Sequence, residues 1–127
     1  MMQEQEVKEL LEDAFNQMTP GASMAKAHQK YTKLKILSAR RQVNCEGNLY
    51  QKARVIVKER AGFIAAEPDQ RLVLLTGSGF NQRNPAVVEL TFTDCTVTAE
   101  AWAKEGLIPQ KSAAGAVDAM LTALGLS

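Results

Sequence analysis

The sequence predicts an α+β fold: an antiparallel meander sheet of four to five strands, with N-terminal helices and a C-terminal helix packed on one face. Three observations lead there. The run Ala86–Trp102, AVVELTFTDCTVTAEAW, is the longest in the chain with alternating apolar and polar residues, the mark of a half-buried strand. Both ends of the chain carry apolar stripes at helical spacing. Between them the strand signals follow one another without intervening helices, which argues against a parallel doubly wound sheet.

Within the organising run, Val88, Leu90 and Phe92 share one parity, whereas Cys95, Val97, Ala99 and Ala101 share the other. A straight strand would turn its apolar face outward halfway along. A β-bulge at Thr93 or Asp94 is the expected remedy, because one inserted residue restores a single buried face.

In chain order, Val7, Leu10, Leu11, Ala14, Phe15 and Met18 form one helical stripe, with Glu4, Glu6 and Glu9 at the end where the helix dipole favours carboxylates. Thr19-Pro20-Gly21 ends that helix, and Thr19-Pro20 also suits the start of a second, running to about Lys30. A strand is expected from about Thr32 to Val43, although 31–42 also carries helical spacing. Cys45-Glu46-Gly47-Asn48 reads as a turn. Leu49–Arg60 reads as a strand through Ala53, Val55 and Val57, and Phe63–Ala66 as a short one. Glu67-Pro68-Asp69-Gln70 is a tight turn, with Pro68 suited to type I. Arg71–Thr76 is apolar on both parities and belongs inside the sheet. Gly77–Pro85 is the longest loop signal, and Gly106–Pro109 another break. Ser112 opens a small-residue helix with a stripe of Ala113, Ala116, Val117, Met120, Leu121 and Leu124, stopped by Gly125.

A chain of 127 residues fits a single α+β domain, residues 1–127, that can bury roughly two-thirds of its unfolded surface. Hydrophobic residues at 46% and charged residues at 23% are ordinary for such a domain, so a core is expected without staples. The N-terminus lacks the basic and apolar regions of a signal peptide, and no apolar run approaches the roughly 20 residues of a membrane span. A cytoplasmic location is the expectation. Cys45 and Cys95 belong to no CxxC pair and His28 is the single histidine, so no metal site and no cofactor are expected, and both thiols should be free.

Three constellations could carry function. The loop residues Gly77, Ser78, Gly79, Phe80 and Arg83 offer flexible backbone amides, an apolar ring and a cation, which could hold a phosphate or carboxylate. They lack the lysine and spacing of a P-loop, so a hairpin connection is the plainer reading. Asp94 beside Cys95 could be a desolvated carboxylate if no bulge forms. Lastly, no acid occurs between Asp13 and Glu46, a gap that holds Lys26, Lys30, Lys33, Lys35, Arg40 and Arg41. Such a segment could meet nucleic acid, or simply be solvated and paired with the acidic first helix.

No catalytic constellation emerges from these residues, so the chain leans away from an enzyme. The leading expectation is a small non-enzymatic binding or assembly module, forming a homo-oligomer or meeting a protein partner. The alternatives are a small-molecule-binding or enzymatic domain with its pocket near 77–85, and a nucleic-acid-associated protein using 26–41.

Overall fold

The structure is a computed structural model that describes residues 3–18, 35–60, 62–78, 84–105 and 112–126. The helix expected to run to Lys30 lies outside these. The elements are α1 (Glu4–Met18), β1 (Lys35–Asn44), α2 (Tyr50–Arg60), β2 (Gly62–Glu67), β3 (Arg71–Ser78), β4 (Asn84–Phe92), β5 (Thr96–Glu105) and α3 (Ser112–Ala123). The strands form one antiparallel sheet in the order β1-β5-β4-β3-β2. Strands β2 to β5 meander, and β1 returns to pair with β5 at the far edge. The α+β class is therefore as the sequence predicts. Among the described residues, no helix is long and apolar enough to cross a membrane.

The first face of the sheet carries the larger core. Leu72, Leu74, Ala86, Val88, Leu90, Phe92, Val97, Ala99, Ala101 and Ala103 are buried there with Tyr50, Ala53 and Val57 of α2 and the predicted stripe of α3. Ala99, Ala101 and Ala103 of β5 share this core with Ala113 and Ala116 of α3, small side chains that permit close approach of helix and strand. α3 ends as its sequence foretells: Gly125 has a φ of 78°, its N–H donates to the Thr122 carbonyl, and Leu126 N–H donates to Leu121. That is a Schellman closure, and Leu126 packs against the core as the motif favours.

The two terminal helices do not share a face. α1 lies on the opposite one, where Val7 and Leu11 bury against Val73 and Val87, flanked by Leu75 and Trp102. The reason is the double parity of β3 and β4. Leu72 and Leu74 point to the first core, so Val73 between them must point away, and an apolar second face needs its own cover. The Lys104 ammonium, 2% exposed, reaches Glu12 of α1 at 3.4 Å.

Two further expectations are corrected. Residues 50–60 form helix α2, not a strand. Tyr50, Ala53 and Val57 are its buried positions, whereas Val55, which a strand would bury beside them, is 63% exposed. The organising run is also not one bulged strand. Phe92 pairs directly with Val97, and Thr93-Asp94-Cys95 turns the chain back into β5. The Thr93 hydroxyl accepts from the N–H groups of Cys95 and Thr96, and Thr93 N–H donates to the Thr96 carbonyl. The parity change is produced by a hairpin. The conclusion that Val88, Leu90, Phe92 and Val97 face one core stands, since all four are buried in it.

The turn after β2 also differs in type. Gln70 N–H donates to the Glu67 carbonyl as expected, but Asp69 has a φ of 62°. A positive φ at the third position of the turn, directly after Pro68, marks type II. Gly77 and Ser78 pair with Pro85 and Asn84, so the first two residues of the GSG segment lie inside the β3–β4 ladder.

Candidate functional site

The second face of the sheet is apolar only under α1. Toward the other end, the same parity carries charge. Arg40 on β1 pairs with Glu100 on β5, Glu100 with Glu89 on β4, and Glu89 with Val73 on β3. The next row on that face is Gln42, Thr98, Thr91, Arg71 and Glu67. Alternation places all of these side chains on one surface, with direct neighbours about 4.5–5.5 Å apart at Cβ.

Together with Gln70 of the β2–β3 turn, Arg40, Glu67, Arg71, Glu89, Thr91, Thr98 and Glu100 line a shallow cleft of about 330 Å³. Its organising pair is Arg71 and Glu89. Arg71 Nε donates to Glu89 Oε2 at 2.5 Å, and its Nη1 donates to Glu67 Oε1 at 3.3 Å. The Glu89 side chain is 5% exposed, and that of Arg71 24%. The hydrogen bond to Glu89 holds the guanidinium above its ordinary pKa against the opposing effect of burial, and the charges of Glu89 and Glu67 add to the rise. Arg71 is thus a fixed cation across the accessible pH range.

Glu89 and Glu100 are like charges directly opposite each other, an arrangement that costs stability unless each has a counter-charge. Arg71 supplies one from one side, and Arg40 stands across the ladder from Glu100 on the other. Half-buried Glu100 and exposed Arg40 therefore remain presented to whatever occupies the cleft. With Thr91, Thr98 and Gln70 as neutral donors and acceptors, the surface can make a dense set of hydrogen bonds to a partner of mixed charge.

The sequence-predicted site residues fall elsewhere. Gly79, Phe80, Arg83, Lys26, Lys30 and Lys33 lie outside the described residues. Gly77 and Ser78 sit at the opposite end of β3 from Arg71, and so away from the cleft. Asp94 is exposed in the β4–β5 turn, so the desolvated-carboxylate reading does not hold for it. Lys35, Arg40 and Arg41 are exposed on β1. Arg40 and Arg41, being consecutive in a strand, point to opposite faces. Arg40 joins the cleft, and Arg41 reaches Asp118 of α3 at 3.5 Å. The acidic first helix is paired through Glu12 with Lys104, which belongs to β5.

The cleft was not visible as a motif. Arg71, Glu89 and Glu100 stand at unremarkable spacings, and only the register of β3, β4 and β5 assembles them. The one available signal was Glu89 itself, a carboxylate between Ala86-Val87-Val88 and Leu90 on a strand read as buried on one face. Compared with protein-family models, with curated proteins and with solved structures, the chain matches none.

Proposed function

We propose that this chain is a small cytoplasmic, non-enzymatic binding or assembly module that docks a second copy of itself through the charged end of the second sheet face and the adjoining edge strand. The observation that carries this reading is β1. Among the described residues it runs for 10 residues at the edge of the sheet, hydrogen-bonded on one side to β5, and it brings Arg40 to the lining of the cleft. Strands of globular proteins more often have about 5–6 residues. A long edge is a template for pairing that proteins either cover or use. The cleft holds both signs of charge, so a two-fold axis beside it sets Arg40 of one copy against Glu100 of the other and the reverse, the self-complementarity an isologous interface requires.

Light scattering over a range of concentrations tests this. A dimer mass is expected, moving toward the monomer in Arg40→Glu. The monomer mass at every concentration would refute the proposal.

A second reading, a small-molecule site, draws on the Arg71–Glu89 pair in the lining of the cleft. Its volume is at the lower end of ligand pockets, and its lining suits a zwitterion rather than an apolar compound. A rise in melting temperature with free amino acids at millimolar concentration, lost in Arg71→Met, would favour it over self-association. Nucleic-acid binding ranks below both, because Arg40 and Arg41 diverge to opposite faces. Binding no tighter than about 10⁻⁶ M at physiological salt is expected.

A further inference from the structure

Cys45 and Cys95 are fifty positions apart in the sequence and adjacent in the fold. The last ladder pair of β1 and β5 is Asn44 with Thr96, and one step beyond it Cys45 N–H donates to the Cys95 carbonyl at 2.8 Å. The two residues are therefore cross-strand neighbours. Both are free thiols, Cys45 half-buried and Cys95 exposed. A regular pair that exchanges both backbone hydrogen bonds has Cα atoms about 5.5 Å apart, inside the 4.4–6.8 Å range that a disulfide spans; Cys45 and Cys95 continue that register with one of the two bonds, the Cys95 N–H donating instead to the Thr93 hydroxyl.

We infer that these residues form a cross-strand dithiol that closes to an intramolecular disulfide by exchange with a low-molecular-weight disulfide such as oxidised glutathione. Cys95, the exposed member, is the site of first attack. Its thiolate displaces one glutathione thiolate and leaves Cys95 joined to the other glutathione half. Cys45, fixed alongside by the backbone hydrogen bond, then attacks the Cys95 sulfur as a thiolate and expels the second glutathione. The two thiol protons pass to solvent and then to the released thiolates. Two protein thiols are oxidised, and one small disulfide is reduced to two thiols.

The local structure leaves room for closure. Neither sulfur is committed to a strong partner: Cys45 Sγ lies 3.4 Å from the Gly47 carbonyl, and Cys95 Sγ 3.8 Å from the Thr93 hydroxyl. Both residues stand just outside the regular ladder, where side chains can rotate without breaking β1–β5 pairing. The bond would tie β1, the edge strand, covalently to the β4–β5 turn.

Mass spectrometry after incubation of the folded chain with oxidised glutathione tests this. The expected product is two hydrogens lighter than the reduced chain and yields one proteolytic fragment joining Cys45 to Cys95. In Cys45→Ser the reaction should stop with glutathione held on Cys95. In wild type unfolded by guanidinium, the same adduct should accumulate, because the geometry that favours closure is gone. Wild type that retains glutathione on Cys95 when folded, or that links chains to one another through Cys95, would overturn the inference. So would ring closure as fast in the unfolded chain as in the folded one.

Discussion

The side chain of Asn48 is bonded at both ends, and one of them holds the carbonyl of Asp69, 21 residues later. Asn48 Nδ2 donates to that carbonyl at 2.8 Å, while its Oδ1 accepts from Tyr50 N–H at 2.9 Å. One amide therefore satisfies a donor in the first turn of α2 and steadies the type II turn between β2 and β3, where Asp69 holds a positive φ. Asn48→Ala should cost about 1–3 kcal/mol, the combined range for a lost helix-start acceptor and a lost hydrogen bond. Asn48→Asp keeps the acceptor and loses the donor, so it should fall between the two. Urea unfolding of the three proteins checks the order; an alanine variant as stable as wild type would refute it.

Phe92 and Asp94 are two positions apart and should respond very differently. Phe92 is 4% exposed and meets Tyr50 edge to face, with ring centroids 5.7 Å apart. Phe92→Ala should cost about 3–5 kcal/mol. Asp94 is exposed in the hairpin turn, and Asp94→Ala should cost less than about 1 kcal/mol. Equal losses for the two in thermal unfolding would contradict the placement of the turn.

Removing Arg71 takes from Glu89 the guanidinium it is bonded to, whereas Arg71 without Glu89 still pairs with Glu67. Because Glu89 is the more buried, Arg71→Met should be the worse substitution, at about 3–5 kcal/mol. Glu89→Gln retains an acceptor for the guanidinium and should cost less. The double variant Arg71→Met with Glu89→Met should recover part of the loss, since an apolar pair needs no compensation. Additive losses in a double-mutant cycle would show that the two side chains do not depend on each other.

At Gly125 the backbone has a φ of 78°, and a Cβ placed there would stand 3.6 Å from the Lys52 ammonium, an ordinary contact. Strain, not crowding, therefore sets the cost. Gly125→Ala should lose about 1 kcal/mol through the left-handed conformation alone. Lys52 Nζ also donates to the Leu124 carbonyl at 2.9 Å, a second closure of the same helix end. Lys52→Met should cost less than Gly125→Ala, and a reversed order in chemical denaturation would contradict this.

Much of the fold was legible because its signals were local and redundant. α3 carries its stripe, its small residues and its stop signal within one stretch, and all three appear as read. Residues 50–60 show where periodicity fails. Ala53 and Val57 are four apart, so they share a face in a helix and also share a parity in a strand. Val55 decides between the two, and its β-branched neighbours Ile56 and Val57 tip the local pattern the wrong way. Between Phe92 and Val97, a bulge and a four-residue turn reverse parity equally well, and Thr93, whose hydroxyl closes the turn, carries no distinctive signature. The cleft was illegible for another reason. Its members come from different strands, and contacts made by register have no fixed spacing along the chain.

The two-sided sheet has a consequence for how the molecule opens. Among the described residues, the first face is covered by two helices and a large core, and the second by α1, through Val7, Leu11 and the Glu12–Lys104 contact. A helix that packs on a core separate from the larger one can lift at a free energy below that of global unfolding. When it does, Val73, Val87 and Trp102 meet water while β2 to β5 remain paired and the first core stays closed. Amide exchange should therefore show α1 as its own cooperative unit, released first. The lifted species carries a sticky apolar patch beside a charged one, and any colony of misassembled chains would grow from that half-open form rather than from the unfolded state.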